Sequence, residues 1–362
     1  MQTTESAAGE GYVSLGAAPA GTLHAGPTLE SEGLEARPSP TRSGTPEARN
    51  AQTKDEALDV RDFAATLLRA SRPRQWTKNL LVLAAPCAAG AIDRPLVAFQ
   101  VASAFVMMCL LSSATYLFND VRDREQDRLH PQKRLRPVAA GECSPRAALG
   151  AAAVFACAGL ALGAAIRPEL AAVGGCYLAL TGAYSVWLRH VVVLDILAIA
   201  AGFVLRAVAG GVASDIYLSR WFVIVTGCCA IFLVAAKRYA ELREHAGPDA
   251  SAASPAPDSK APSAPGRATL RRYSLGHLRL VLLAAAAIAV VAYTGWAFTR
   301  PAHVLWYGLS IVPLLLWLGR YANLVGTGAG QAPEELILRD RVLLGLGAAW
   351  SVLFLGGIYV GG

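Results

Sequence analysis

The sequence predicts an all-α, polytopic membrane protein: nine transmembrane helices in one bundle, with the charged loops on the cytoplasmic side. Three observations predict it. Of 362 residues, 54% are hydrophobic and 16% charged, whereas a soluble domain carries about 25% charged residues. Apolar windows of membrane-spanning length recur throughout the chain after its first 60 or so residues. Lys and Arg, finally, crowd into alternate loops instead of spreading evenly.

The elements follow in order. Residues 1–60 are rich in Gly, Ala, Pro, Ser, Thr and Glu, with no helical or strand period, and are expected to be a disordered cytoplasmic tail. No basic region followed by an apolar run marks a cleavable signal there. The spans fall near 78–97, 97–118, 146–166, 169–188, 191–213, 218–236, 278–298, 302–319 and 342–360. The first is short, contains Pro86, and is divided from the next only by Asp93, Arg94 and Pro95, which fits a tilted span or half of a tight hairpin. Residues 246–268 form a Pro/Ala/Ser linker inside a single membrane domain, 68–362. Pro333 followed by Glu334 and Glu335 reads as a helix start.

One set of loops carries Arg69 to Lys78, Arg122 to Arg146, Arg189, Lys237 to Arg272, and Arg320 to Arg341. The opposite set carries Arg94, Arg167, Arg220 and Arg300, one per loop. This alternation predicts an N-terminus in the cytoplasm, and the chain is expected in the inner (plasma) membrane. The seven cysteines show no CxxC or Cys/His spacing, and Gly326 to Gly330 match neither a dinucleotide fingerprint nor a P-loop. No Ser-His-Asp or Cys-His arrangement is present.

The chemistry-bearing residues concentrate at two helix ends. Asn119-Asp120-Val121-Arg122-Asp123-Arg124-Glu125-Gln126-Asp127 follows the second span. In a continuous helix, Asp120, Asp123 and Asp127 (i, i+3, i+7) share one face. Three carboxylates there demand a cation, either Mg²⁺ or the interleaved arginines. Lys133, Arg134 and Arg136 follow, and acids that hold a divalent metal next to cations that grip phosphate oxygens suit a metal–diphosphate site. The second end, after the sixth span, places Lys237, Glu241 and Glu244 on one face beside Tyr239; it is either an ordinary charged anchor or part of the same pocket. Tyr184, Arg189 and His190 sit at a nearby mouth. Within the fifth span, Arg206 either neutralises a phosphate or pairs with Asp195 on the same face.

The NDxxDxxxD run at Asn119 to Asp127 resembles the signature of the UbiA superfamily of intramembrane prenyltransferases. Several blocks are similar to the branch that moves a phosphoribosyl group: Arg72 to Asn79, His130 to Gly141, Tyr184 to His190, Gly202 to Gly211, Lys237 to Arg243, and Ala332 to Glu335. The second aspartate motif of ordinary members is replaced by Lys237-Arg238-Tyr239-Ala240-Glu241.

The resemblance implies Mg²⁺-dependent transfer of 5-phosphoribosyl from phosphoribosyl pyrophosphate (PRPP) to a long polyprenyl (decaprenyl) phosphate, for cell-wall arabinan precursors. It implies Asp120, Asp123 and Asp127 as metal ligands and Asn119 as an orienting residue. Lys78, Arg122, Lys133, Arg134, Arg136, Tyr184, Arg189, Arg206, Lys237, Tyr239 and Glu241 form the substrate wall. The expected partners are those two substrates, the bilayer and further copies of the chain, with no nucleic acid. Two other readings stand beside it: transfer of a prenyl group from a prenyl diphosphate to a small acceptor, and a secondary transporter.

Overall fold

The computed structural model describes residues 62–246, 273–300, 303–328 and 333–360. The tail 1–60 and nearly all of the 246–268 linker lie outside the described residues. Every regular element described is helical. After α1 (62–70), an eleven-residue 3₁₀ segment, Pro73–Leu83, runs into the short α2 (Ala84–Ala88). Then come α3 (Pro95–Arg122), α4 (Arg124–Arg128), α5 (Pro137–Ala140), α6 (Pro145–Ile166), α7 (Pro168–Val186), α8 (Leu194–Ala213) and α9 (Arg220–Ala246). The chain closes with α10 (Leu275–Phe298), α11 (Val304–Gly326), α12 (Pro333–Arg339) and α13 (Arg341–Tyr359).

Local sequence sets many of the starts. Proline occupies the first turn of α3, α6 and α7, where its missing N–H costs nothing. Ser144, Ser274 and Asp340 cap α6, α10 and α13, each side chain accepting from a backbone N–H three residues on. The expected short helix at Pro333 is present.

Among the described residues, seven helices are long and apolar enough to cross a membrane: α3, α6, α8, α9, α10, α11 and α13. Helix α7, nineteen residues, carries Glu169, Thr181 and two tyrosines and falls outside that set. The first expected span is not one helix. Its residues form the 3₁₀ segment and α2, ending at Gly90 in a left-handed turn (φ 62°).

Half of the apolar window of α3 and 56% of that of α8 are buried in protein, against 17% for α6 and 11% for α13. Helices α3 and α8 are therefore the centre, and α6 and α13 present apolar surface outward. The α3 core gathers Val101, Met107, Met108, Leu111, Leu170 and Tyr177; a second core joins Phe232, Leu282, Leu318, Tyr321 and Leu343.

The 3₁₀ segment is held in the centre by polar contacts. Buried Asn79 accepts from Arg206 Nε (2.8 Å) and donates to Ser112 Oγ (3.3 Å), and Trp76 Nε1 donates to Ser113 Oγ (3.1 Å). Gly210 of α8 lets the backbone pass, since a Cβ there would fall 1.8 Å from the carbonyl oxygen of Val82. Up-and-down alternation brings the C-termini of α3, α7, α9 and α11 to one end of the bundle, with the N-termini of α6, α8, α10 and α13.

Candidate active site

Two carboxylate–guanidinium clusters occupy that end. The first is built where α3 stops. Asp123 is its C-cap (φ −93°, ψ 8°), and α4 starts afresh at Arg124. The break changes the expected geometry: Asp120, Asp123 and Asp127 do not share one face of a continuous helix. Asp120 and Asp127 are buried and joined by Arg136, whose Nη1 lies 3.3 Å from Asp120 Oδ1 and 2.6 Å from Asp127 Oδ2. Arg72 donates through Nη2 to the same Asp120 Oδ1. Asp123 turns to the α7–α8 connection, where Arg189 grips both its oxygens (3.0 and 3.1 Å). Among the described residues no three His, Cys, Asp or Glu side chains converge as a metal cage. Arginines are the counter-ions of all three expected ligands, Asp120, Asp123 and Asp127.

Two oxygens are left over. Asp120 Oδ2 and Asn119 Oδ1 are buried with no hydrogen-bond partner. Orphaned buried acceptors are costly, and a carboxylate and an amide oxygen are the hard donors that Mg²⁺ takes. In that respect the residues fit a divalent metal.

A cavity of about 270 Å³ opens beside Asp120, lined by Arg69, Arg72, Gln132, Leu135 and Arg136. Arg72 stands at its edge in a left-handed conformation (φ 54°, ψ 63°), with its guanidinium 5.0 Å from the Tyr116 ring centroid. A non-glycine residue held this way costs about 1–3 kcal/mol and persists only where its surroundings fix it. Burial pushes the Arg72 guanidinium below its ordinary value, opposed by the charge of Asp120.

The second cluster closes on itself. Arg238 of α9 donates Nε to Asp195 Oδ2 (2.8 Å) and Nη2 to Oδ1 (2.9 Å), with Nη1 on Glu241 (2.7 Å). The Tyr184 hydroxyl donates to Asp195 Oδ1 (2.9 Å). Asp195 thus pairs with Arg238 and not with Arg206. Arg206 serves Asn79, the Gly202 carbonyl (2.7 Å) and the Tyr177 hydroxyl (2.8 Å), with its guanidinium over the Tyr177 ring.

The remaining expected residues are spread along this end. Lys133 and Arg134 are exposed on a short 3₁₀ turn, and Arg122 is exposed beside the Val186 carbonyl (3.4 Å). Lys237 lies 4.0 Å from Glu241, Tyr239 packs into apolar core, and Lys78 is half-buried on the 3₁₀ segment. Arg72 and Arg238 were not singled out from sequence. Both lie within charged runs, but carboxylate spacing drew the reading, and their partners are 48 and 43 residues away.

A helical membrane bundle with a carboxylate-rich, arginine-bridged site at one end defines a class of intramembrane transferase. Residues 80–344 match the UbiA prenyltransferase family model, and the chain belongs to that family. It is 40% identical over 306 residues to the decaprenyl-phosphate phosphoribosyltransferase of Mycolicibacterium smegmatis, covering 80% of this chain and 91% of the relative. It is 41% identical over 308 residues to the enzyme of that name in Corynebacterium glutamicum, covering 83% and 89%. Among solved structures, a UbiA homolog from Archaeoglobus fulgidus bound to GPP and Mg²⁺ superposes with a TM-score of 0.60 at 16% identity, covering 82% of this chain and 99% of that one. That likeness bears on the fold. The chain is a multi-pass membrane protein.

Proposed function

We propose that this protein transfers the 5-phosphoribosyl group of PRPP to a long polyprenyl phosphate. The observation that carries this reading is the buried Asp120–Asp127 pair, arginine-bridged yet with Asp120 Oδ2 and the neighbouring Asn119 Oδ1 unmet, in a chain about 40% identical to decaprenyl-phosphate phosphoribosyltransferases. An anionic oxygen of the lipid phosphate attacks the anomeric carbon, a new C–O bond forms, and the bond to pyrophosphate breaks. The nucleophile is already deprotonated at neutral pH, so no strong general base is needed.

Asn119 Oδ1, Asp120 Oδ2 and, once released by Arg189, Asp123 would hold Mg²⁺, with Asp127 beside them. The ion, when bound, neutralises charge on the departing diphosphate. Arg136, Lys133 and Arg134 are assigned to donor phosphate oxygens, and Lys78, Arg189 and Lys237 to the polar wall. Tyr184 and Glu241 act through Asp195 and Arg238 by fixing where α8 meets α9. The lysine and arginine asymmetry of the loops supports a cytoplasmic reading for this end, at the plasma membrane, with the isoprenoid tail left in lipid.

Membranes containing the protein, given labelled PRPP and polyprenyl phosphate, are expected to place label in the lipid fraction; Asp120→Asn membranes are not. Absence of labelled lipid with the unsubstituted protein overturns the reading. Transfer from a prenyl diphosphate to an aromatic acceptor in the same membranes would put an ordinary prenyltransferase in its place.

A further inference from the structure

The cavity beside Asp120 has guanidinium donors that the metal-bound diphosphate does not account for. Its walls carry three guanidinium groups, Arg69, Arg72 and Arg136, beside Asp120, with Asp127 paired to Arg136 and Glu142 to Arg69. Arg72 commits Nη2 and Arg136 commits Nη1 to the acidic pair; their other guanidinium nitrogens have no hydrogen bond among the described residues. Arg69 reaches Thr66 (3.3 Å) and Glu142 and leaves Asp120 alone. Gln132 adds an amide donor, and Leu135 an apolar wall. The oxygens suited to a metal, Asp120 Oδ2 and Asn119 Oδ1, are distinct from Asp120 Oδ1, the atom that the cavity's arginines hold.

We propose that this cavity receives the 5-phosphate of the sugar donor, with Arg72 as the specificity-determining residue that separates a phosphoribosyl donor from donors lacking a terminal phosphomonoester. The inference rests on the phosphoribosyl reading above. A phosphomonoester carries about −1.5 to −2 charges at neutral pH, and the guanidinium nitrogens of Arg72 and Arg136 not engaged by the acidic pair are the donors available to it. It needs no metal where guanidinium forks supply the donors. The strained backbone of Arg72 is explained in the same way. The left-handed turn before Pro73, closed by Gln75 N–H on the Arg72 carbonyl (2.8 Å), sets the guanidinium between Asp120 and the cavity.

The test compares two donors, PRPP and ribosyl 1-diphosphate, which lacks the 5-phosphate, using the full chain in lipid nanodiscs with polyprenyl phosphate. The unsubstituted enzyme is expected to favour PRPP strongly in kcat/KM. Arg72→Gln is expected to lower kcat/KM for PRPP by about 10- to 100-fold, mainly through KM, the scale of one charge-assisted hydrogen bond. The same substitution should change the 5-dephospho donor by less than about threefold. Arg69→Gln, which does not touch Asp120, should show the same donor-selective loss at about threefold, as suits a more exposed charge; it keeps the test decisive if Arg72→Gln fails to fold. Equal losses on both donors would show that Arg72 merely holds Asp120, and would overturn the proposal. So would an unsubstituted enzyme that uses both donors alike. An enzyme that uses neither donor would instead sink the underlying phosphoribosyl reading.

Discussion

The two charged clusters at the same end of the bundle use the same residue types and reach opposite outcomes. Around Asp195 every acceptor is met: Arg238 takes both carboxylate oxygens, Tyr184 adds a hydroxyl, and Glu241 absorbs the remaining guanidinium nitrogen. Around Asp120 the arithmetic is left open, with Oδ2 and the neighbouring Asn119 Oδ1 unmet and a cavity against its arginines. A buried ion pair with complete hydrogen bonding tends to fix geometry, whereas one with spare acceptors awaits a ligand. On the proposed reading, the first cluster carries the chemistry and the second joins α8 and α9.

The largest expected effect tests that division directly. Asp120→Asn keeps the shape but removes the charge shared by Arg72 and Arg136, and should reduce transfer by about 10²–10³-fold, the scale of losing one preorganised electrostatic group. Labelled-lipid formation per folded enzyme is the measurement. Retention of more than about a tenth of the activity would make the first cluster as structural as the second.

Much of this site is legible in the sequence, for a definite reason. The NDxxDxxxD run lies on one helix end, so its local spacing survives into the structure for Asp120 and Asp127. The break at Asp123 is not legible. It is decided by Arg189 from another loop and Arg136 from beyond a turn, and no helical period records either. The apolar stretch after Lys78 looked like a span because hydropathy counts side chains and not their partners. Its 3₁₀ course depends on Asn79 meeting Arg206, 127 residues away, and on the missing Cβ at Gly210. The partners of Arg206 are not legible either, because Asn79 and Tyr177 carry no charge to signal them.

Asp195→Ala should act in the opposite sense to Asp120→Asn. It leaves Arg238 with Glu241 and a long contact to the Tyr184 hydroxyl (3.5 Å) and is expected to cost about 3 kcal/mol of stability, at the lower end for breaking a buried pair. Activity per folded molecule should stay within a few-fold. Thermal unfolding in detergent alongside transfer assays separates the two. The double substitution Asp195→Leu with Arg238→Met should restore most of the lost stability, since apolar replacement of both partners removes the stranded charge. A loss of activity matching that of Asp120→Asn would bring the second cluster into the active site.

Gly210→Ala sharpens the comparison from the backbone side, because it disturbs the segment carrying Lys78 and Asn79 without touching a charge. The added Cβ cannot coexist with the Val82 carbonyl, so the 3₁₀ segment or α8 must shift. The expected cost is about 1–3 kcal/mol, as for other overpacked cores. A lowered melting temperature should come with a raised KM for the donor, whereas Asp195→Ala lowers melting alone. Unchanged melting would mean that the segment is free to move aside.

The smallest effect comes from a third pair at the same end, Arg320 with Asp340 (2.9 Å), which repeats the chemistry without deep burial. Asp340 also accepts from the Leu343 N–H (2.9 Å) as the cap of α13. Together these hold its carboxyl below the usual carboxylate range, the Arg320 hydrogen bond contributing most. Because the folded value is depressed, the stabilisation is complete above the ordinary aspartate value of about 3.9 and is lost as pH falls through the lower, folded value. Melting followed from pH 6 downward should therefore show a modest decline confined to the acid side. Asp340→Asn keeps an oxygen for the cap but cannot titrate, so the difference from the unsubstituted protein should shrink as pH falls. A difference that grew toward acid pH would mean that the pair opposes folding, and charge pairing at this end would then count for stability only where it is buried, as at Asp195.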